Sequence, residues 1–154
     1  MKHFSRSWKQ DGSISLWRYT ENERNYYGWH LSADARGCKS LSNLLQALAA
    51  DGHAATRTVE LQPPTPAVLA VPNNRGGRAT YKAPAKLRLS FTKEAGQWSF
   101  PATLDPAELA FGYDWLAPLQ EGLDAVAQGR GDYSIGANQG SSLPLWFWWR
   151  VGAA

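Results

Sequence analysis

The sequence predicts an α+β fold: one domain spanning residues 1–154, with an antiparallel or mixed sheet built from hairpins and two amphipathic helices packed on it. Three observations carry this expectation. Apolar and polar residues alternate with period two along several short segments, as in half-buried strands. Two other segments space leucines at helical intervals. The strand-like segments come in pairs joined by short polar links rather than alternating singly with helices, which favours antiparallel or mixed pairing over a doubly wound sheet.

Residues 14–19 set Ile14 and Leu16 against Ser15, Trp17 and Tyr19, and residues 25–31 set Tyr27, Trp29 and Leu31 against Tyr26 and His30. The polar link between them is short enough to close an opening hairpin. From Ser40 to Ala50 the period changes. Leu41, Leu44, Leu45 and Leu48 fall at i, i+3, i+4 and i+7, with Ser40 as N-cap and Gly52 as C-cap. A third strand over 55–61 stops at Pro63-Pro64-Thr65-Pro66, because proline cannot donate to a ladder. Val68 to Val71 reads as a further short strand, and the Asn- and Gly-rich residues 72–80 read as a mobile loop.

Residues 86–92 and 97–100, joined by Lys93-Glu94-Ala95-Gly96, predict a second hairpin. Asp105-Pro106 has the composition of a helix start, aspartate capping and proline at the first position. Asp114 opens the second helix, in which Leu116, Leu119, Leu123 and Val126 keep helical spacing and Pro118 fits only the first turn. Residues 132–135 and 145–151 flank a Gly/Ser-rich loop and predict a closing hairpin. The last of these strands is the most apolar stretch of the chain. Its alternation sets Leu145, Phe147, Trp149 and Val151 on one face and Trp146, Trp148 and Arg150 on the other.

Composition bounds the functional reading. With 44% hydrophobic and 19% charged residues, the 154-residue chain lies outside the range of disordered sequences. Eight Trp, six Tyr and five Phe imply a core or an interface dominated by aromatic rings. The single cysteine, Cys38, excludes an internal disulfide, and the amino terminus lacks the apolar run of a secretory leader, so a cytoplasmic location is expected. No apolar run approaches the roughly 20 residues of a membrane-spanning helix, and no membrane association is expected. The net charge of +3 is mild but unevenly spread: Arg75 to Lys93 holds six cations and no acid, whereas Glu94 to Asp132 holds seven acids against Arg130.

Candidate chemistry is sparse. The Gly-x-Ser-x-Gly turn of an activated serine does not occur, and His3, His30, Cys38 and His53 lack the close pairing of a metal site, so no metal, cofactor or catalytic set is expected. His30, in an aromatic strand with Asp34 close in sequence, is the candidate base for an enzyme reading, against the alternative of a structural, hydrogen-bonded histidine. Cys38 and Lys39 precede the leucine stripe, and Glu121 and Asp124 share a helical face turned to water. Arg75-Gly76-Gly77-Arg78 with Tyr81 and Lys82 mixes flexible backbone, cations and a ring, a combination suited to nucleic acid. Trp146, Trp148 and Arg150 have the composition of a protein-binding hot spot if their face is open. The leading expectation is therefore a non-enzymatic protein, of the inhibitor, immunity or assembly-factor kind, whose partner is another protein or a second copy of itself. Nucleic-acid binding and a His30-dependent enzyme are the alternatives.

Overall fold

The computed structural model describes residues 4–24, 26–52, 54–72, 74–136 and 142–149. In chain order the elements are β1 (Ile14–Tyr19), β2 (Trp29–Ala33), α1 (Ala35–Asp51), β3 (Thr56–Glu60), α2 (Pro66–Ala70) and β4 (Tyr81–Lys82). There follow β5 (Lys86–Phe91), β6 (Trp98–Ser99), β7 (Ala107–Phe111), α3 (Leu116–Ala127), β8 (Tyr133–Ile135) and β9 (Leu145–Phe147). The α+β class holds, with two mixed sheets rather than one: β4-β1-β2-β9-β8 and β3-β5-β7-β6.

The opening and closing hairpins form as the alternation predicts, β1 with β2 and β8 with β9. β9 then runs parallel to β2, so the terminal strand joins the two hairpins into one sheet. The inner face of that sheet carries Ile14, Leu16, Trp29, Leu31, Leu145 and Phe147, all buried. The same core takes the leucine stripe of α1, the apolar stripe of α3 and the inner residues of β5 and β7. Each fully buried leucine or phenylalanine there contributes on the order of 1.5–3 kcal/mol. The packing closes to within a void of about 20 Å³ among leucine and phenylalanine side chains. Trp29 ties the two sheets together, stacking on Phe100 with centroids 5.2 Å apart and donating its indole N–H to the carbonyl of Pro101 at 3.0 Å.

Four local expectations are corrected. The helix read from Ser40 begins at Ala35, because Asp34 caps it: its carboxylate accepts from the amides of Gly37 at 2.7 Å and Ser13 at 3.0 Å. Ser40 instead lies inside α1, where its hydroxyl accepts from the amide of Asp11. Val68 to Val71 is not a strand; Thr65 accepts from the Val68 amide with Pro66 in the first turn, and the segment coils into α2. The same acid-or-hydroxyl-then-proline signal fails at Asp105-Pro106, where Asp105 has φ 63° instead of the extended backbone of a cap. Residues 107–111 form β7, burying Ala107, Leu109 and Phe111 by alternation. That strand overturns the predicted second hairpin, for β5 and β6 do not pair: β7 lies between them, parallel to β5 and antiparallel to β6.

The second helix matches expectation, with a 3₁₀ turn at Tyr113–Trp115 leading into α3 and Pro118 in its first turn. Gly122 sits mid-helix against the terminal strand, where a Cβ would lie 2.4 Å from the Phe147 ring. We expect Gly122→Ala to destabilise the fold by about 1–3 kcal/mol through overpacking. The helix-propensity gain of about 1 kcal/mol for alanine over glycine offsets only part of this. Urea denaturation of the two proteins checks the sign, and a stabilised variant would refute the close approach.

Candidate functional site

The outer face of the first sheet bears a second, separate set of buried aromatic side chains. Alternation turns Trp17 and Tyr19 of β1, His30 of β2 and Trp146 of β9 to this side. The strand register places Trp17 opposite His30 and His30 opposite Trp146. Their rings stack in a row: Trp17 on His30 at 5.7 Å and 20°, and His30 against Trp146 at 6.2 Å and 12°. Trp148, just past the end of β9, joins them parallel to Trp146 at 5.7 Å and 11°. Its amide donates to the carbonyl of Leu31 at 3.0 Å, which holds the chain alongside β2 beyond the last strand residue.

This geometry corrects the expectation for the Trp146, Trp148 and Arg150 face. Trp148 is only 3% exposed, so its ring is core material and not a contact surface. Trp146 is half-buried, its indole N–H donating to the carbonyl of Tyr27 at 3.0 Å. Trp149 leaves the face assigned by strict alternation, because the strand ends at Phe147; it lies half-buried, edge-on to Trp148 at 6.2 Å and 60°. Arg150 and Val151 lie outside the described residues.

His30 is fully buried at the centre of the row. An indole N–H can only donate, so the 2.9 Å contact from Trp148 Nε1 fixes His30 Nδ1 as the acceptor. The proton then resides on Nε2, which donates to the carbonyl of Tyr26 at 2.9 Å. Burial drives the imidazole pKa down to about 4, only partly offset by the Tyr26 contact. The lone pair that a general base would use is therefore engaged and walled in by Trp17, Tyr19, Trp146 and Trp148. The enzyme reading built on His30 loses its base. Asp34, its expected neighbour, serves as the cap of α1.

Two segments cover the row. Val68 and Leu69 of α2 and Ala79 pack on Trp17 and Tyr19, and the Tyr19 hydroxyl donates to the carbonyl of Leu69 at 3.3 Å. Burial raises the Tyr19 pKa to about 12. On the other side the chain bends at Gly28, where φ is 123° and a Cβ would lie 2.5 Å from the Pro144 carbonyl. This bend folds Tyr26 over the row, its ring within 6.5 Å of those of Tyr19, His30, Trp146 and Trp148. What remains in contact with solvent is a rim: half-buried Tyr26, Trp146 and Trp149, with Tyr27 40% exposed.

The basic segment adjoins this rim. Glu21 organises it, accepting from the Thr80 amide at 2.8 Å and from Arg75 at 2.9 Å, while its carbonyl accepts from Asn74 at 3.2 Å. The Thr80 amide and the Arg75 guanidinium hold the Glu21 carboxyl below its ordinary range. Of the four nucleic-acid candidates, Arg75 is thus paired with a carboxylate, whereas Arg78, Tyr81 and Lys82 are exposed, Tyr81 and Lys82 as the edge strand β4.

Other candidates come to less. Cys38 is buried and directed at the Ala33 carbonyl, and Glu121 and Asp124 are exposed on α3. His3 and His53 lie outside the described residues. Among the described residues no cluster of three His, Cys, Asp or Glu could hold a metal, and no helix is long and apolar enough to cross a membrane.

Sequence reasoning missed Tyr26 and Tyr27 as rim residues because it extended β2 back to residue 25. Gly28 was the available signal, since a glycine between aromatics marks a bend. The cover provided by α2 was hidden behind the strand reading of Val68 to Val71. No protein-family model, curated protein or solved structure matches the chain.

Proposed function

We propose that the chain is a small cytoplasmic binding protein, of the inhibitor, immunity or assembly-factor kind, acting through the aromatic rim beside its terminal strand. The observation that carries this reading is the way the rim is supported. Tyr26, Trp146 and Trp149 stand at the surface over a packed floor of Trp17, His30 and Trp148, and the carbonyl of exposed Tyr27 holds the Trp146 indole. Large rings held in place from beneath lose little conformational freedom on association, the property that makes Trp and Tyr dominant at protein interfaces. The contact set is Trp146 with Trp149 and the two tyrosines; Trp148 acts as their support.

The test uses Tyr27→Ala with Trp146→Ala in one chain, compared with the unaltered protein as bait in native-cell extract. Proteins retained by the unaltered bait are expected to be lost by the variant, with a melting temperature lowered only modestly, since both rings are partly exposed. Retention of the same proteins by both baits would remove the rim from the interface. Nucleic-acid binding through Arg75, Arg78, Tyr81 and Lys82 is the weaker reading, because Glu21 already neutralises Arg75.

A further inference from the structure

We infer that the segment bound at this rim is an acidic stretch of protein, its carboxylates seated against Arg24 and Arg78; the inference rests on the protein-binding reading above. Rim and cations belong to one structural unit. The 20–28 turn that carries Tyr26 and Tyr27 is fastened to the 74–80 turn by Thr20, which donates its amide to the Thr80 carbonyl at 2.9 Å, and by a hydroxyl contact between the same residues at 2.8 Å. Glu21 and Asn74 complete the junction. On the sheet beneath, Tyr81 is opposite Tyr19 on the aromatic face, whereas Lys82, opposite Arg18, belongs to the other face.

Charge is concentrated here. Residues 17–28 and 74–82 hold Arg18, Arg24, Arg75, Arg78 and Lys82 against Glu21 and Glu23, an excess of three cations equal to the formal net charge of +3 of the whole chain. The rest of the molecule is balanced. Within the unit both carboxylates are engaged, Glu21 by Arg75 at 2.9 Å and Glu23 by Arg18 at 3.6 Å. Arg24, Arg78 and Lys82 are exposed and form no ion pair among the described residues. Arg24 on the turn that bears the tyrosines, and Arg78 on the turn fastened to it, are uncompensated cations that attract and orient a partner of opposite sign.

Two features favour separate carboxylates over a phosphate backbone. Glu21 and Glu23 are interspersed among the cations, where they repel a continuous run of phosphates but leave room for discrete acidic side chains. The rings also stack chiefly on one another. Trp17, His30, Trp146 and Trp148 are face-to-face neighbours, which limits the open ring faces on which unpaired bases would lie.

The experiment measures binding of a labelled alternating Glu-Leu peptide to the full chain by fluorescence anisotropy. An alternating Lys-Leu peptide and oligothymidylate serve as comparison probes. The Glu-Leu peptide is expected to bind, and to weaken about tenfold both in Arg24→Gln/Arg78→Gln and at raised salt. Equal binding of the Lys-Leu peptide, no loss in the double variant, or binding of oligothymidylate in place of the Glu-Leu peptide would overturn the inference. The native-extract assay separates the two levels. Partner capture that survives the double variant but is lost with Trp146→Ala overturns the acidic partner and leaves the protein-binding reading standing; capture indifferent to both overturns that reading as well.

Discussion

Replacing Trp148 with alanine is expected to lower the unfolding free energy by about 3–5 kcal/mol, the range for deleting a buried tryptophan. Two losses combine. The ring fills space between His30, Trp146 and Trp149 at 3% exposure, so its removal opens a cavity under the rim. Its N–H also satisfies His30 Nδ1, and an acceptor left without a donor in a dry interior costs about 1–3 kcal/mol by itself. Trp148→Phe separates the terms, retaining most of the stack while removing the donor, and its midpoint in urea should fall between those of the unaltered protein and the alanine variant. Trp146→Ala should cost less than Trp148→Ala, because Trp146 is half-buried and donates only to a carbonyl at the rim. An unchanged urea midpoint for Trp148→Ala would show that the outer aromatic layer does not contribute to the stability of the folded state.

The parts of the fold legible in the sequence are those specified locally. Ile14 and Leu16 alternate with Ser15 and Trp17, and Leu41, Leu44, Leu45 and Leu48 repeat at helical spacing, because neighbouring side chains on one element bury the same face. The order of strands in a sheet has no such local signature. β5 and β6 are close in sequence and joined by a polar turn, yet β7 separates them, pairing Leu87 with Ala107 and Phe91 with Phe111. The alternation of Ala107, Leu109 and Phe111 was present in the sequence, but Asp105-Pro106 gave a stronger local cue for a helix start. The backbone of Asp105 prevents that cue from acting.

For the candidate site, the sequence identified the aromatic strand but not what lies over it. Which face of β9 is dry depends on residues far away in the chain: Val68 and Leu69 on α2 over one side of the row, and Tyr26 after the Gly28 bend over the other. A proline-rich segment and a glycine turn carry no periodicity from which such cover could be inferred. The outcome inverts the expected roles of the adjacent Trp148 and Trp149, with Trp148 forming the floor and Trp149 joining Trp146 at the rim. It also explains why a histidine placed among aromatics is structural: its two nitrogens join the floor to the turn that bears the exposed tyrosines.

That bridge gives the fold a defined acid sensitivity. An unfolded histidine takes up its proton near pH 6.5, whereas His30 in the folded protein does so only near pH 4. Between these values the unfolded chain binds more protons than the native one, so stability falls as pH is lowered through this window, and above pH 6.5 this residue makes stability independent of pH. The gap from 6.5 to about 4 corresponds to about 3 kcal/mol lost by the acid end. Protonation also places a hydrogen on Nδ1, facing the Trp148 N–H, so the donor–acceptor pair beneath the rim becomes two opposed donors. His30→Gln supplies the comparison, since its amide oxygen accepts from Trp148 and its amide nitrogen donates to Tyr26 without titrating. Urea unfolding from pH 7 to pH 4 should show a steeper decline for the unaltered protein than for His30→Gln, while carboxylates such as Glu21, whose pKa is held down in the fold, contribute equally to both. Parallel profiles would show that His30 does not carry the acid sensitivity. A steeper decline in the unaltered protein would mean that acid breaks the contact between Trp148 and His30 beneath the rim on which the proposed interface is built, while the Nε2–H bond to Tyr26 persists.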